Sequence, residues 1–205
     1  LVNCTVHVGV ITLEIVATAD EASEAQAMAV QEERSLRAVL GNLVYGVGDQ
    51  TLAEVVGECL ARTGQFLAVA ESCTGGLLAS LITEVPGSSR YFTHGWVTYS
   101  NQAKNTELQV PREMIDQYGA VSEQVALAMA RGARRRSGAD YAISITGIAG
   151  PGGGSDQKPV GLVYIAVDGP EGAEVSRNIF SSDRSLVRLR SAQTALNVLR
   201  LKLPI

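Results

Sequence analysis

The sequence has few of the residues on which several common kinds of site depend. It contains two histidines and three cysteines, and no pair of cysteines has CxxC spacing. Neither a structural zinc site nor a disulfide framework is therefore indicated. The formal net charge of −4 provides no basic field, and the arginines lie among acidic residues, so we do not expect nucleic acid as a partner.

Long apolar runs are also missing. No stretch reaches the ~18 consecutive apolar residues of a membrane span, and the N-terminus lacks the basic-then-apolar order of a secretion signal. We therefore expect no membrane partner and a reducing, cytoplasmic location. The 205 residues suffice for one sizeable α/β core with a small appended segment, and a start at Leu1 rather than Met is compatible with a fragment.

The first part of the chain predicts a small strand-helix segment. Residues 6–17 are rich in β-branched side chains, which favours a single strand. Thr18 and Glu21 have capping-box spacing, and the helix that they predict reaches Leu40 before Gly41. Because a turn-like segment with two glycines follows, we divide the chain into a segment at 1–46 and a domain at 47–205.

The larger domain alternates predicted helices and strands. Strands are predicted at 66–70, 95–99, 141–146 and 161–167, and helices at 52–63, 77–85, 111–118, 122–137 and 185–203. The hairpin-like turn at 168–172 predicts that at least one edge strand is antiparallel. The fold class predicted is α/β, a three-layer α/β/α sandwich with a mostly parallel, mixed central sheet, preceded by the small segment.

A short polar segment, Glu71–Gly76, lies between a predicted strand and the start of a helix. Free amides at a helix start stabilise negative charge, so a Ser72 hydroxyl there would lose its proton more easily and an oxyanion beside it would be stabilised. Gly75 and Gly76 would let a substrate approach the backbone. Two alternatives stay open: Ser72 or Thr74 only caps the helix, or Cys73 is the nucleophile.

Each possible nucleophile needs a group that accepts its proton. For Ser72, Tyr99 and Lys104 could share that task, because they follow a predicted strand at the rim where an open α/β sheet gathers its ligands. The alternative is a half-buried tyrosine and a solvated lysine. For Cys73, His94 is the only imidazole nearby in sequence.

A glycine-rich tract at 146–155 follows the strand predicted at 141–146. Its amides could converge on an anion, which Thr146 and Lys158 favour slightly, or the tract is a mobile connection. A Rossmann or P-loop site is excluded, because no helix opens after the glycines and no GxxxxGK[ST] is present. Asp183 predicts a helix cap, and Arg184 could instead hold a phosphate.

Five segments occur here in one order with compact spacing: AESCTGG, VTYSNQAK, GAVSEQVALAMARGAR, SITGIAGPGGGSDQKPVGLVYIA and SSDR. Together they resemble the C-terminal domain of the CinA (competence/damage-inducible) family, over about residues 47–205. The segment at 1–46 resembles the end of the middle region of longer members, in which a pyrophosphatase-like domain comes first.

The resemblance implies a nicotinamide-nucleotide amidase, which hydrolyses nicotinamide mononucleotide to nicotinic acid mononucleotide and ammonia. Ser72 would be the nucleophile, Tyr99 and Lys104 its proton-transfer partners, and no metal or organic cofactor is implied. The resemblance also suggests a homo-oligomer, most simply a dimer. The alternative is a non-catalytic nucleotide-binding regulatory module. The candidate substrate contacts are Thr74, Gly75, Gly76, Thr146, Gly147, Gly150 and Arg184.

Overall fold

The computed structural model describes residues 1–7 and 9–204, and the chain forms two compact units, Leu1–Gly48 and Asp49–Ile205. The division falls two residues after the one placed from sequence. The first unit contains strands β1 (Val2–His7) and β2 (Val10–Ile15), helix α1 (Ala22–Leu40) and a 3₁₀ turn at Gly41–Leu43.

Two predictions for this first unit are wrong. The single strand predicted at 6–17 is an antiparallel hairpin, in which Val2 pairs with Ile15 and His7 with Val10. Gly9 has a φ of 84°, a left-handed conformation that glycine adopts without strain, and Val8 lies outside the described residues. The Thr18–Glu21 capping box does not form, because Glu21 is itself the N-cap and its side chain makes no cap hydrogen bond.

The second unit alternates helices and strands much as predicted. Its elements are α2 (Leu52–Thr63), β3 (Leu67–Glu71), α3 (Leu77–Thr83), a 3₁₀ turn (Ser88–Arg90), β4 (Phe92–Val97), α4 (Asn101–Leu108), α5 (Arg112–Tyr118), α6 (Glu123–Ser137), β5 (Tyr141–Gly147), β6 (Leu162–Gly169), β7 (Gly172–Ile179) and α7 (Arg184–Arg200). The capping box of Thr51 and Glu54 starts α2, and the Ser122 side chain caps α6, which confirms both predicted starts. Helix α4 was not predicted.

The five strands form one mixed sheet in the order β4-β3-β5-β6-β7. Strand β3 is parallel to β4 and β5, whereas β5–β6 and β6–β7 are antiparallel. The prediction of at least one antiparallel edge strand is confirmed by β7, and β6 beside it is antiparallel to both of its neighbours. The reason is that the connection at 148–161 contains no helix to carry the chain back along the sheet, so β6 returns in the opposite direction.

Helices cover both faces of the sheet, as the three-layer prediction requires. Helix α6 packs on one face, with α4 and α5 against it, while α3 and α7 pack on the other with α2 beside them. A Cβ on Gly132 of α6 would collide with the carbonyl of Leu108, so the glycine lets α4 lie directly against α6. This close packing brings the start of α4 to the end of the sheet where the site lies.

Candidate functional site

Three parallel strands, β3, β4 and β5, end at the same edge of the sheet. Each is followed by one of the segments that the sequence marked: the turn at 72–76, the segment that leads into α4, and the glycine-rich tract. Ligands of open α/β sheets bind at this edge because loops converge there from neighbouring strands. The fold therefore brings residues that are distant in sequence into one region.

Ser72 and Lys104 meet at this edge. Lys104 Nζ donates hydrogen bonds to Ser72 Oγ at 3.0 Å and to the Thr98 carbonyl at 2.8 Å. The lysine is 1% exposed and the serine 9%, so the alternative of a solvated lysine is wrong. Burial lowers the pKa of Lys104 to about 8. An amine with this pKa is partly neutral near pH 7 and can accept the proton of a hydroxyl that it contacts.

The segment that carries Ser72, residues 72–76, is called here the nucleophile turn. Its preceding residue, Glu71, is buried, and its carboxylate accepts hydrogen bonds from the amides of Gly76 (3.0 Å), Leu78 (3.1 Å) and Ala79 (2.8 Å). These are the helix-start amides that we expected to stabilise an oxyanion, and they are already occupied. The capping alternative is also wrong, because the N-cap of α3 is Gly76 and no side-chain cap is made.

Other amides of the nucleophile turn differ in their partners. The amide of Ser72 donates to the Ile145 carbonyl at 2.9 Å, and that of Gly75 donates to the Ser72 carbonyl at 3.1 Å. Among the described residues the Thr74 amide has no hydrogen-bond acceptor, and that of Cys73 interacts only with its own thiol. The amide that follows a nucleophile is a common oxyanion donor. The geometry therefore leaves these two amides for a developing negative charge.

Two glycines shape the end of the nucleophile turn. Gly75 and Gly76 have φ values of 62° and 95°, a left-handed region that side chains with a Cβ rarely adopt. A Cβ on Gly75 would lie 3.7 Å from Arg188 Nη2, and one on Gly76 would lie 3.7 Å from Val97 Cγ2. Backbone conformation rather than crowding therefore explains both glycines.

Cys73 has the properties of a packed thiol rather than a nucleophile. It is 6% exposed, and burial raises its pKa to about 12. The imidazole of His94 stacks on Trp96, with ring centroids 5.2 Å apart and an interplanar angle of 9°. Because only a thiolate attacks carbonyls efficiently, this environment argues against the cysteine alternative.

Tyr99 and Arg184 form a second group at the rim of the site. The Tyr99 side chain is 59% exposed, and its hydroxyl accepts a hydrogen bond from Arg184 Nη2 at 3.0 Å. Arg184 Nη1 also donates to the Gly150 carbonyl at 2.8 Å. Tyr99 is thus bonded to Arg184 rather than to Ser72 or Lys104. The capping role expected for Asp183 is confirmed, since its carboxylate accepts from the Leu186 amide at 3.0 Å.

Side chains at the start of the glycine-rich tract and three residues after its end bond to the segment that precedes α6. The Thr146 hydroxyl donates to the Ala120 carbonyl at 2.8 Å, and Lys158 Nζ donates to the carbonyls of Tyr118 at 2.7 Å and Val121 at 2.8 Å. Lysine and threonine thus hold the tract in place. Substrate contact by Thr146, and by the glycines beside it, stays a prediction.

Packing accounts for the two glycines of this tract that we expected to contact substrate. A Cβ on Gly147 would lie 2.7 Å from the Leu162 carbonyl oxygen, which an added side chain could not displace. A Cβ on Gly150 would lie 2.6 Å from Val160 Cγ1, and its φ is 83°. Both positions therefore need glycine whether or not a ligand binds.

One polar residue of the site was not predicted. Arg188 lies one helical turn after Arg184 on α7, and its Nε and Nη2 donate to the Thr74 carbonyl at 3.1 and 2.7 Å. The available signal was the spacing of four residues, which places Arg184 and Arg188 on the same side of a helix.

Other site types find no support within residues 1–7 and 9–204. No group of three or more His, Cys, Asp or Glu side chains is placed to hold a metal ion. No helix in that part of the chain is both long enough and apolar enough to cross a membrane. Cys4, Cys59 and Cys73 are free thiols.

Comparison with known proteins places this chain in a family. The family model described as CinA C-terminal domain matches residues 49–203. A CinA-like protein of Syntrophomonas wolfei is 45% identical over 192 residues, which cover 94% of this chain and 46% of that protein. The chain thus spans about half the length of the curated relatives it matches.

Solved structures agree with the sequence match. The competence/damage inducible protein CihA of Agrobacterium tumefaciens is 45% identical, with a TM-score of 0.71 over 72% of this chain and 91% of that one. A CinA superfamily protein of Escherichia coli is 33% identical, with a TM-score of 0.70 over 79% of this chain and 98% of that one. The chain belongs to the CinA family, and residues 49–203 form its C-terminal domain.

Proposed function

We propose that this chain is a nicotinamide-nucleotide amidase, which converts nicotinamide mononucleotide and water to nicotinic acid mononucleotide and ammonia. The observation that carries the proposal is the 3.0 Å contact between Ser72 Oγ and a buried lysine amine whose pKa is lowered to about 8. A serine paired with a lysine is an established arrangement for acyl transfer. The resemblance to the amidase domain of the family supplies the choice of substrate.

In the acylation step, Lys104 would first accept a proton from Ser72 and then donate it to the leaving group. Neutral Lys104 accepts the hydroxyl proton of Ser72 while Oγ bonds to the carboxamide carbon, and the carbonyl electrons move onto oxygen. The amides of Cys73 and Thr74 stabilise that oxyanion. When the C–N bond breaks, the Lys104 ammonium returns the proton to the departing nitrogen, which leaves as ammonia and a Ser72 ester.

Deacylation would repeat the sequence with water. Lys104 accepts a proton from a water molecule whose oxygen attacks the ester carbon, and the same two amides hold the second oxyanion. The proton then passes from Lys104 to Ser72 Oγ as the ester bond breaks. Nicotinic acid mononucleotide is released, and the hydroxyl and the neutral amine are restored.

The rim group would recognise the rest of the substrate. Tyr99 accepts from Arg184, which leaves the phenol proton free to donate to the substrate. Arg184 donates two of its N–H groups to the Gly150 carbonyl and the Tyr99 hydroxyl, so its guanidinium retains other N–H donors for an anion. We propose Thr74, Gly75, Gly76, Thr146, Gly147 and Gly150 as the remaining walls of the pocket.

Ammonia release tests the proposal directly. Nicotinamide mononucleotide should be hydrolysed, while free nicotinamide and glutamine should be poor substrates. Ser72→Ala should lower kcat by at least about a thousandfold, because it removes the nucleophile. The matched control is Ser80→Ala on α3, whose side chain is exposed and which should keep wild-type turnover.

The outcomes separate the two functions considered. Near-wild-type turnover by Ser72→Ala would refute the nucleophile. Binding of nicotinamide mononucleotide by the wild type without ammonia release would favour a nucleotide-binding regulatory module instead. Because relatives are about twice as long, any activity of an upstream domain would be a property of the whole protein.

Assembly and location belong to the proposal as well. We propose a homodimer in the cytoplasm that binds a small nucleotide and neither nucleic acid nor membrane. The three free thiols fit a reducing compartment. Light scattering of the purified chain would test the dimer, since a mass equal to one chain would refute it.

A further inference from the structure

The nucleophile turn contacts a cation of helix α7. Arg188, on the α7 face of the sheet, places two N–H groups on the single carbonyl of Thr74, at 3.1 and 2.7 Å. The Leu77 amide donates to the same carbonyl at 3.3 Å. Since a charged donor makes a stronger hydrogen bond than a neutral one, Arg188 is the strongest external restraint on this carbonyl.

The orientation of this carbonyl governs the neighbouring peptide groups. Within the described chain, every amide from Ser72 to Ala79 donates to a carbonyl or to Glu71, except those of Cys73 and Thr74. These two lie on the N-terminal side of the carbonyl that Arg188 holds. The Thr74 carbonyl shares a peptide plane with the Gly75 amide, and that plane meets the plane of the Thr74 amide at the Thr74 Cα. A carbonyl that left Arg188 would therefore shift this Cα, and the Thr74 amide would be displaced with it.

In the part of the chain that the structure describes, Arg188 has no acidic partner to share its charge. None of the ion pairs found in residues 1–7 and 9–204 includes it, and within that range both of its hydrogen bonds are to the Thr74 carbonyl. The nearest cation along the helix, Arg184, is engaged with Tyr99 and Gly150. The positive charge therefore acts on the nucleophile turn rather than being neutralised by a carboxylate.

We propose that Arg188 is a positioning residue that holds the amides of Cys73 and Thr74 in place as an oxyanion hole. This inference rests on the proposed function for its catalytic consequence, but the restraint on the turn can be measured without it. It also gives different roles to the two arginines that lie on successive turns of α7. Arg184 serves the substrate side, while Arg188 serves the backbone that stabilises the transition state.

The test compares Arg188→Gln with Arg190→Gln. Arg190 lies on the same helix, with its guanidinium 5.2 Å from the centroid of the Phe180 ring, and serves as the matched control. The aldehyde analogue of nicotinamide mononucleotide would form a tetrahedral adduct with Ser72 and so reports on the oxyanion hole. Arg188→Gln should weaken its inhibition about tenfold or more, with inhibition by the product nicotinic acid mononucleotide within about twofold of wild type.

Other readouts complete the design. Arg188→Lys should recover part of the analogue affinity, because an ammonium can still donate to the Thr74 carbonyl. Hydrogen exchange at the amides of Gly75 and Leu77 should be faster in Arg188→Gln and unchanged in Arg190→Gln. Equal weakening of analogue and product, or unchanged exchange in the turn, would overturn the inference.

The exchange measurement keeps the two proposals distinguishable. If the wild type released no ammonia and bound no aldehyde analogue, the amidase proposal would fail. Faster exchange in the nucleophile turn of Arg188→Gln would then still establish Arg188 as its restraint, while the oxyanion role would be refuted with the activity.

Discussion

Replacing Lys104 by methionine should stabilise the protein while abolishing its activity. The lysine is buried, and its amine contacts a hydroxyl and a carbonyl; no ion pair in the described ranges involves it. Its pKa falls from 10.5 in the unfolded chain to about 8 in the fold. At about 1.36 kcal/mol per pKa unit, the folded state carries a penalty of about 3 kcal/mol when the amine is charged in both states.

The sign of the pH dependence follows from the lowered pKa. Well below pH 8 the amine is almost fully protonated in both states, and the folded state bears nearly the whole penalty. Between about pH 8 and 10.5 the unfolded chain binds more protons, so the stability of the wild type rises with pH. Methionine cannot titrate. The difference in free energy of unfolding between Lys104→Met and the wild type should therefore shrink by about 2 kcal/mol between pH 7 and pH 9.5.

Urea unfolding monitored by fluorescence would measure this difference. The sequence contains one tryptophan, Trp96 on β4, so the signal reports on the unit that holds the site. Losing the hydrogen bonds to Ser72 and Thr98 costs about 1–3 kcal/mol, which reduces the absolute gain but leaves its pH dependence intact. Lys158→Met is the control, because that amine also bonds to two carbonyls but is less buried. A difference between wild type and Lys104→Met that stays constant with pH would refute the reasoning.

Further predictions concern the same site. The kcat/KM for ammonia release should rise with pH through an apparent pKa of about 8, and Lys104→Arg, which stays protonated, should be inactive across pH 6–10. Cys73→Ala should keep activity within about threefold of wild type, as ammonia release would show, since its thiol does not react. Glu71→Gln should lower the free energy of unfolding by about 1–3 kcal/mol, because an amide nitrogen would face amide donors; denaturant titration would measure it. Gly76→Ala should lower the melting temperature, because alanine at a φ of 95° is strained.

Local signals made much of the fold predictable from sequence. Capping boxes and the glycines after helices mark boundaries by chemistry within a few residues, so the ends of α2 and α6 were found. The hairpin of the first unit was missed because its turn lies inside a β-branched run. Helix α4 was missed because its sequence, Asn-Gln-Ala-Lys-Asn-Thr-Glu-Leu, presents little apolar periodicity.

The site was predictable in its residue types but not in its contacts. Ser72 and Lys104 were identified as candidates. Their direct contact, however, depends on α4 lying close against α6, and no local sequence pattern reveals that packing. The link between Tyr99 and Arg184 spans 85 residues and needs the whole second unit folded. The spacing of Arg188 from Arg184 places both on one side of α7, but it does not identify the partner of Arg188, which is a backbone carbonyl whose position is set by tertiary structure.

Because the amides at the start of α3 are occupied, the negative charge that Ser72 Oγ would develop during attack must be stabilised or avoided in another way. A free helix N-terminus would favour a Ser72 alkoxide. Here, however, the Glu71 carboxylate already accepts hydrogen bonds from three amides at that end, and it adds a negative charge beside the nucleophile. The helix cannot therefore be the main source of activation. A neutral amine that removes the serine proton at the moment of attack avoids a free alkoxide altogether, and burial keeps that amine neutral often enough. On this view Glu71 shapes the turn and Lys104 moves the proton, so Glu71→Gln should affect stability more than the pH at which activity rises.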